Sequence, residues 1–319
     1  MSLAKVQKQI LHTCQHGPLE LLQSIHMLNK DVIHWSQCIC EKTGDTPLHF
    51  AAQENRLDIV EYLCETWTPC NIDLVNKDGK TALHCAAQFH KTETLEYLIK
   101  QGADINKIKR GDWTPLMLAC AKKTSTCDCV NVLMKYNPER LIKNKDGWSC
   151  LHLTARTGDV NVFKSIWNDD IDELLIPSNN GRTVLHITAL HGNFHLMQFF
   201  LYKGITQNEL NLSDKCGHTT VHDAVLSGDV HLVQLLLKYG ADVTKCTNAG
   251  LMALHLAATS GKIDVIEYLI QKCNFDVNIT TESTKFTPLH CAYRAKQYDA
   301  ISLLLMLKAD ETVLDNFGR

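Results

Sequence analysis

Residues 144–160 read NKDGWSCLHLTARTGDV. This short stretch gathers a histidine, a serine, a cysteine, an arginine and two aspartates, so His152 belongs either to an active site or to a recurring architecture. The stretch recurs. SCLHLTA at Ser149 is preceded by TPLHFAA at Thr46, TALHCAA at Thr81 and TPLMLAC at Thr114. It is followed by TVLHITA at Thr183, TTVHDAV at Thr219, MALHLAA at Met252 and TPLHCAY at Thr287. Successive starts lie 35, 33, 35, 34, 36, 33 and 35 residues apart. With such a period, every local motif has to be interpreted inside its repeat.

The period and the T-P-L-H-x-A phrase resemble the ankyrin unit, a turn (here called the finger) followed by two antiparallel helices. The resemblance implies an all-α ankyrin-repeat solenoid of about nine stacked helix-turn-helix repeats. One domain over 1–319 is expected, with a capping repeat at 1–40 and units starting near 41, 76, 109, 144, 178, 214, 247 and 282. LDNFGR (314–319) has the form of the lead-in to another unit, so a final repeat is expected to be cut off after 319.

Within each unit the chain carries its own punctuation. Gly158, Gly192, Gly228 and Gly261 stand nine residues after the Thr or Ser slot, where the first helix must end and a left-handed residue fits. Asn55, His90, Lys123 and Lys296 take that place elsewhere, each at a cost of up to about 1 kcal/mol if φ is positive. Second helices follow, as in DIVEYL (58–63), HLVQLLL (231–237) and DVIEYLI (264–270), with apolar residues at helical spacing. QGADIN (101–106) and YGADVT (239–244) predict a helix-ending glycine and an extended step into the next finger.

The histidine slot is filled by His49, His84, His152, His186, His222, His255 and His290, with Met117 the exception. Seven copies a repeat apart cannot converge on one substrate. They are expected to satisfy backbone groups at the helix start and the finger. No enzyme is predicted. The neighbours His84–Cys85 and His290–Cys291 point about 100° apart on a helix, which argues against a nucleophile–base dyad. Cys38-Ile39-Cys40 and Cys127-Asp128-Cys129 lack the second ligand pair of a zinc site, and His191 and His195 straddle Gly192. No Walker or Rossmann glycine signature occurs. No metal and no cofactor are expected.

The net charge of −3 argues against direct nucleic-acid binding, and no apolar run reaches membrane-spanning length. Fourteen cysteines without disulfide-domain spacing indicate a reducing compartment, so a monomeric protein of the cytoplasm and nucleus, with no membrane contact, is expected. One region departs from that average. Residues 107–156 hold ten basic and four acidic side chains, a net +6, leaving −9 for the rest. Its fingers, KIKRGDWTP (107–115) and IKNKDGWSC (142–150), each place a tryptophan before the Thr/Ser slot. Trp113 and Trp148, with Lys107, Arg110 and Lys143, are therefore the predicted partner-binding residues, exposed at finger tips and suited to an acidic surface.

DWTPLMLAC (112–120) and LIKNKDGWSCLHLTARTGD (141–159) resemble a family of vertebrate ankyrin-repeat co-regulators of alanyl-tRNA synthetase. The resemblance implies binding to the synthetase's catalytic domain and capture of wrongly activated serine on lysine side chains. Lys145 keeps the family position in K-N-K-D-G-W and is the first acceptor implied. Lys109 is the second, although its neighbour is Arg110 rather than a second lysine. Leu175 stands where a third acceptor lysine would be. Crowding by nearby cations lowers an amine's pKa and raises its nucleophilic fraction. A general protein–protein adaptor using the same two fingers is the alternative.

Overall fold

The computed structural model describes residues 3–30, 35–66, 71–122 and 127–318. Twenty α-helices and one 3-10 turn (Trp35–Gln37), without a strand, make up the regular structure of these residues. The chain divides into two compact units, Met1–Lys145 with Lys164–Ile166, and Asp146–Phe163 with Trp167–Arg319.

The first unit contains four helix pairs: α1 (Leu3–His16) and α2 (Leu19–Asn29), α3 (Pro47–Gln53) and α4 (Leu57–Thr66), α5 (Ala82–Gln88) and α6 (Thr92–Lys100), α7 (Pro115–Cys120) and α8 (Asp128–Lys135). The helices of the remaining repeats are α9 (Cys150–Thr157), α10 (Val160–Ile166), the short α11 (Ile171–Leu175), α12 (Val184–Leu190), α13 (Phe194–Tyr202), the short α14 (Gln207–Leu210), α15 (Thr220–Ser227), α16 (Val230–Lys238), α17 (Ala253–Thr259), α18 (Ile263–Gln271), α19 (Pro288–Ala295) and α20 (Tyr298–Met306).

First helices stack on first helices. In the first unit α1, α3, α5 and α7 pack in order, and in the second α9, α12, α15, α17 and α19 do so. Alanines make this approach possible: Ala51, Ala52, Ala86, Ala87, Ala224, Ala257, Ala258 and Ala292 are fully buried where the helices meet. Second helices supply the larger apolar groups, with Leu63, Leu98, Leu133, Phe200, Leu236, Leu269 and Leu304 all buried. Each such side chain contributes roughly 1.5–3 kcal/mol of transfer free energy.

The slot residue caps its helix as the pattern predicts. The Thr46 N–H donates to His49 Nδ1 (3.2 Å), and the Thr81 N–H donates to His84 Nδ1 (3.1 Å). With Nδ1 accepting, the proton sits on Nε2, which donates to a carbonyl of the next finger. His49 reaches Lys80 (2.7 Å), His84 Trp113 (3.2 Å), His186 His218 (3.0 Å) and His255 Phe286 (2.9 Å). His222 differs, reaching the Lys245 carbonyl at 3.0 Å. Burial pushes His84 and His222 down to about 4, which keeps both neutral at pH 7. These five imidazoles thus tie one repeat to its successor. His255→Ala should lower stability by about 1–3 kcal/mol, as should His152→Ala, measured by urea unfolding. An unfolding midpoint unchanged in both variants would remove the structural role.

A second ladder runs from finger to finger. Lys77 N–H donates to the Thr43 carbonyl (3.0 Å) and Arg110 N–H to Asp78 (2.9 Å); further along, Lys215 N–H donates to Asn180 (3.0 Å) and Asn248 N–H to Cys216 (3.0 Å). Glycines close the first helices at Gly158 (φ 74°) and Gly228 (φ 87°). Asn55, His90 and Lys296 adopt the expected positive φ of 60°, 54° and 57°, while Lys123 lies outside the described residues. The extended step expected at 101–106 and 239–244 is confined to two residues without regular structure, 103–104 and 241–242, between a turn at 101–102 or 239–240 and a second turn at 105–106 or 243–244. Asp104 and Asp242 cause the second turn: each carboxylate accepts the N–H two residues on, from Asn106 and Thr244, both at 2.9 Å. These local hydrogen bonds compete with extended backbone and win.

Candidate functional site

Of the predicted binding residues, Lys107, Lys109, Arg110, Trp113, Lys143 and Lys145 fall in the first unit and Trp148 in the second. Arg110, Lys143 and Lys145 are exposed, whereas Lys107, Lys109, Trp113 and Trp148 are half-buried. The tryptophans therefore differ from the exposed tips the pattern suggested. The physical reason is that each indole lies against its own repeat. Trp113 pairs with Lys109 in an isolated antiparallel bridge and carries the Lys109 ammonium over its ring at 5.7 Å. Gly111 permits the close return, since a Cβ there would meet the Trp113 ring at 3.3 Å. Trp148 sits beside His152 (ring centroids 6.1 Å) with the Arg156 guanidinium 5.8 Å from its ring centre.

Lys109 is held by its own finger. Its Nζ donates to the Arg110 carbonyl at 3.2 Å. Burial, then the charge of Lys80 and to a lesser degree Arg110, hold its pKa below the usual lysine value, against the pull of Asp78. Arg110 turns toward the preceding finger, donating to the Lys77 carbonyl (3.2 Å) and facing Asp78 at 3.9 Å. The Lys145 N–H joins the finger ladder through the Gly111 carbonyl at 3.1 Å. Leu175 ends α11, half-buried. The loop at 123–126, within KKTSTCD, lies outside the described residues.

Side chains suggestive of catalysis find other uses. Burial pushes the Cys85 thiol up to about 12 and also raises Cys291, so neither is a ready nucleophile beside its histidine. The thirteen cysteines among the described residues are all free thiols. Neither C-x-C pair gathers a third metal-ligating group there.

A charged cluster in the second unit escaped the sequence reading. Arg182 occupies the slot that holds Trp113 and Trp148 in their fingers, and it bridges two acids. Its Nε lies 3.1 Å from Asp214 and its second nitrogen 3.1 Å from Asp223. Asp223 is 0% exposed and its Oδ2 has no hydrogen-bond partner. Burial raises its carboxyl to about 7, against the opposing pull of Arg182. The signal was present: the position after the repeat histidine is charged only in TTVHDAV.

The chain matches the family described as Ankyrin repeats (3 copies) over residues 10–109, 166–247 and 221–315. It belongs to the ankyrin-repeat family. It is also similar to ankyrin repeat protein nuc-2 of Neurospora crassa, 29% identical over 174 residues, or 54% of this chain and 16% of that protein. Similarity to transient receptor potential cation channel subfamily A member 1 of Homo sapiens is 26% over 317 residues, 97% of this chain and 28% of the channel. The Drosophila melanogaster channel of that name is 26% identical over 151 residues, 45% of this chain and 13% of its own length. The chain thus spans less than a third of each relative. Ankyrin repeats are a scaffold for protein–protein interaction. Among the described residues no helix is long and apolar enough to cross a membrane.

Proposed function

We propose that this chain binds the catalytic domain of alanyl-tRNA synthetase and accepts misactivated serine on lysine side chains. The reading rests on the tandem DWTPLMLAC and KNKDGWSCLHLTARTGD, which resembles ankyrin repeat domain-containing protein 16. The observation that supports its chemistry is Lys109, an amine with a lowered pKa seated on Trp113 within the basic finger. A seryl-adenylate is already activated, so the unprotonated amine attacks its carbonyl, AMP leaves, and the amide forms with loss of a proton. The lysine is consumed, which makes the protein a sacrificial acceptor in the cytoplasm and nucleus rather than a turnover enzyme. The exposed Arg110, Lys143 and Lys145 steer an acidic partner.

The test incubates the chain with an editing-defective synthetase, ATP and serine and locates seryl adducts by mass spectrometry. Adducts should concentrate on Lys145 and Lys109 and vanish site by site in Lys145→Arg and Lys109→Arg, where charge and complex persist. Serine spread evenly over Lys203, Lys262 and Lys308 would reject specific capture. Absence of any complex in a pull-down would leave the adaptor reading, in which the same fingers hold another acidic protein.

A further inference from the structure

We propose that Asp214, Cys216 and His218, in the finger before α15, form a binding site for a divalent metal ion of the zinc class. The three residues occur as D-x-C-x-H, where other fingers place Asn76, Asn144, Ser178, Thr247 or Thr281 in the first position. One carboxylate oxygen, the thiol sulfur and one ring nitrogen all lie within 4.8 Å of one another. His218 Nδ1 is 3.7 Å from Asp214 Oδ1. Ligand atoms held about 2.0–2.3 Å from a tetrahedral ion sit roughly 3.3–3.7 Å apart, so side-chain shifts of about 1 Å close the site.

Two further observations point to a ligand. His218 Nδ1 is buried and has no hydrogen-bond partner, so with the proton on Nε2 it directs an unused lone pair into the finger. Asp214 is already oriented as a ligating carboxylate would be. Its Oδ1 accepts the N–H groups of Cys216 and His218, both at 2.8 Å, and its Oδ2 accepts Arg182 Nε at 3.1 Å. One lone pair on Oδ2 remains for an ion, and the other bonds fix the carboxylate as outer-shell partners do.

The guanidinium of Arg182 would repel a cation if its charge were uncompensated. It is not, because Asp223 stands 3.1 Å from its second nitrogen, outside the ligand set. The Asp214 carboxylate and a Cys216 thiolate then neutralise the ion. Cys216 is exposed, so the ion enters from solvent, the thiol proton leaves to bulk water, and a water molecule fills the fourth position. One sulfur, one nitrogen and one oxygen select zinc-class ions over magnesium or calcium, which demand oxygen shells.

The experiment titrates Co2+ into the full, reduced chain at pH 8 and follows the thiolate-to-cobalt charge-transfer absorption. The first equivalent should produce the band, and one equivalent of Zn2+ should abolish it. Cys216→Ser should remove the band, His218→Gln should weaken binding at least tenfold, and Cys246→Ser, an exposed cysteine of the next finger, should change neither. Cys216 is a surface residue, so its serine variant retains the fold. A full band in Cys216→Ser, or no thiolate band at one equivalent, overturns the proposal.

Discussion

Asp223→Asn stabilises the protein above neutral pH, by on the order of 2–4 kcal/mol at pH 8, and the gain disappears near pH 4. The carboxyl is fully buried with one oxygen unpartnered, and burial raises its pKa from 3.8 to about 7. The folded state therefore binds a proton that the unfolded state has released throughout the interval between those values. The contribution of Asp223 to stability falls as pH rises through that interval and is level above it. Asparagine does not titrate, still accepts from Arg182, and leaves that guanidinium its Asp214 partner. Urea midpoints of both proteins between pH 4 and 8 read the difference directly. If the substitution destabilises equally at every pH, the Arg182 ion pair outweighs the desolvation of Asp223 and the assignment fails.

Gly217→Ala should be among the most damaging single methyls in the second unit. Gly217 has φ +82°, and a Cβ built there lies 2.5 Å from the Asn248 backbone nitrogen, 2.6 Å from its side-chain oxygen and 3.0 Å from the Thr247 carbonyl carbon. That nitrogen is the donor of the finger ladder, bonded to Cys216 at 3.0 Å. Relief requires the two fingers to separate, so the loss should be about 3 kcal/mol or more. Gly102→Ala is the control. Its φ is +89°, but nothing lies within 4 Å of the added carbon, so only the backbone term of about 1 kcal/mol applies. Similar melting temperatures for the two variants would show that the ladder yields cheaply.

Most of the fold was legible because its determinants are local and repeated. The Thr–His pair, the helix-closing glycines and the left-handed Asn55, His90 and Lys296 all act within one period, so each copy checks the others. The turns made by Asp104 and Asp242 were missed because an aspartate in an extended-looking segment carries no sign of which N–H it will accept from. The exposure of Trp113 was overestimated for a related reason. Position at a finger tip fixes where the backbone goes, while the choice to lay the indole under Lys109 is made by side-chain packing. Arg182, Asp214 and Asp223 lie 32 and 41 residues apart along the chain, so their meeting depends on repeat stacking and on no local pattern.

The histidine ladder also makes the protein a self-reporting stack. In His49, His84, His186, His222 and His255 the imidazole takes its Nδ1 bond from its own helix start and gives its Nε2 hydrogen to the next finger, as His49 does to Lys80 and His255 to Phe286. Parting of two repeats therefore breaks the Nε2 bond of one identifiable ring while its Nδ1 bond survives. Imidazole nitrogen resonances, followed in 15N-enriched protein as denaturant rises, then give the order in which those junctions open, with no residue changed.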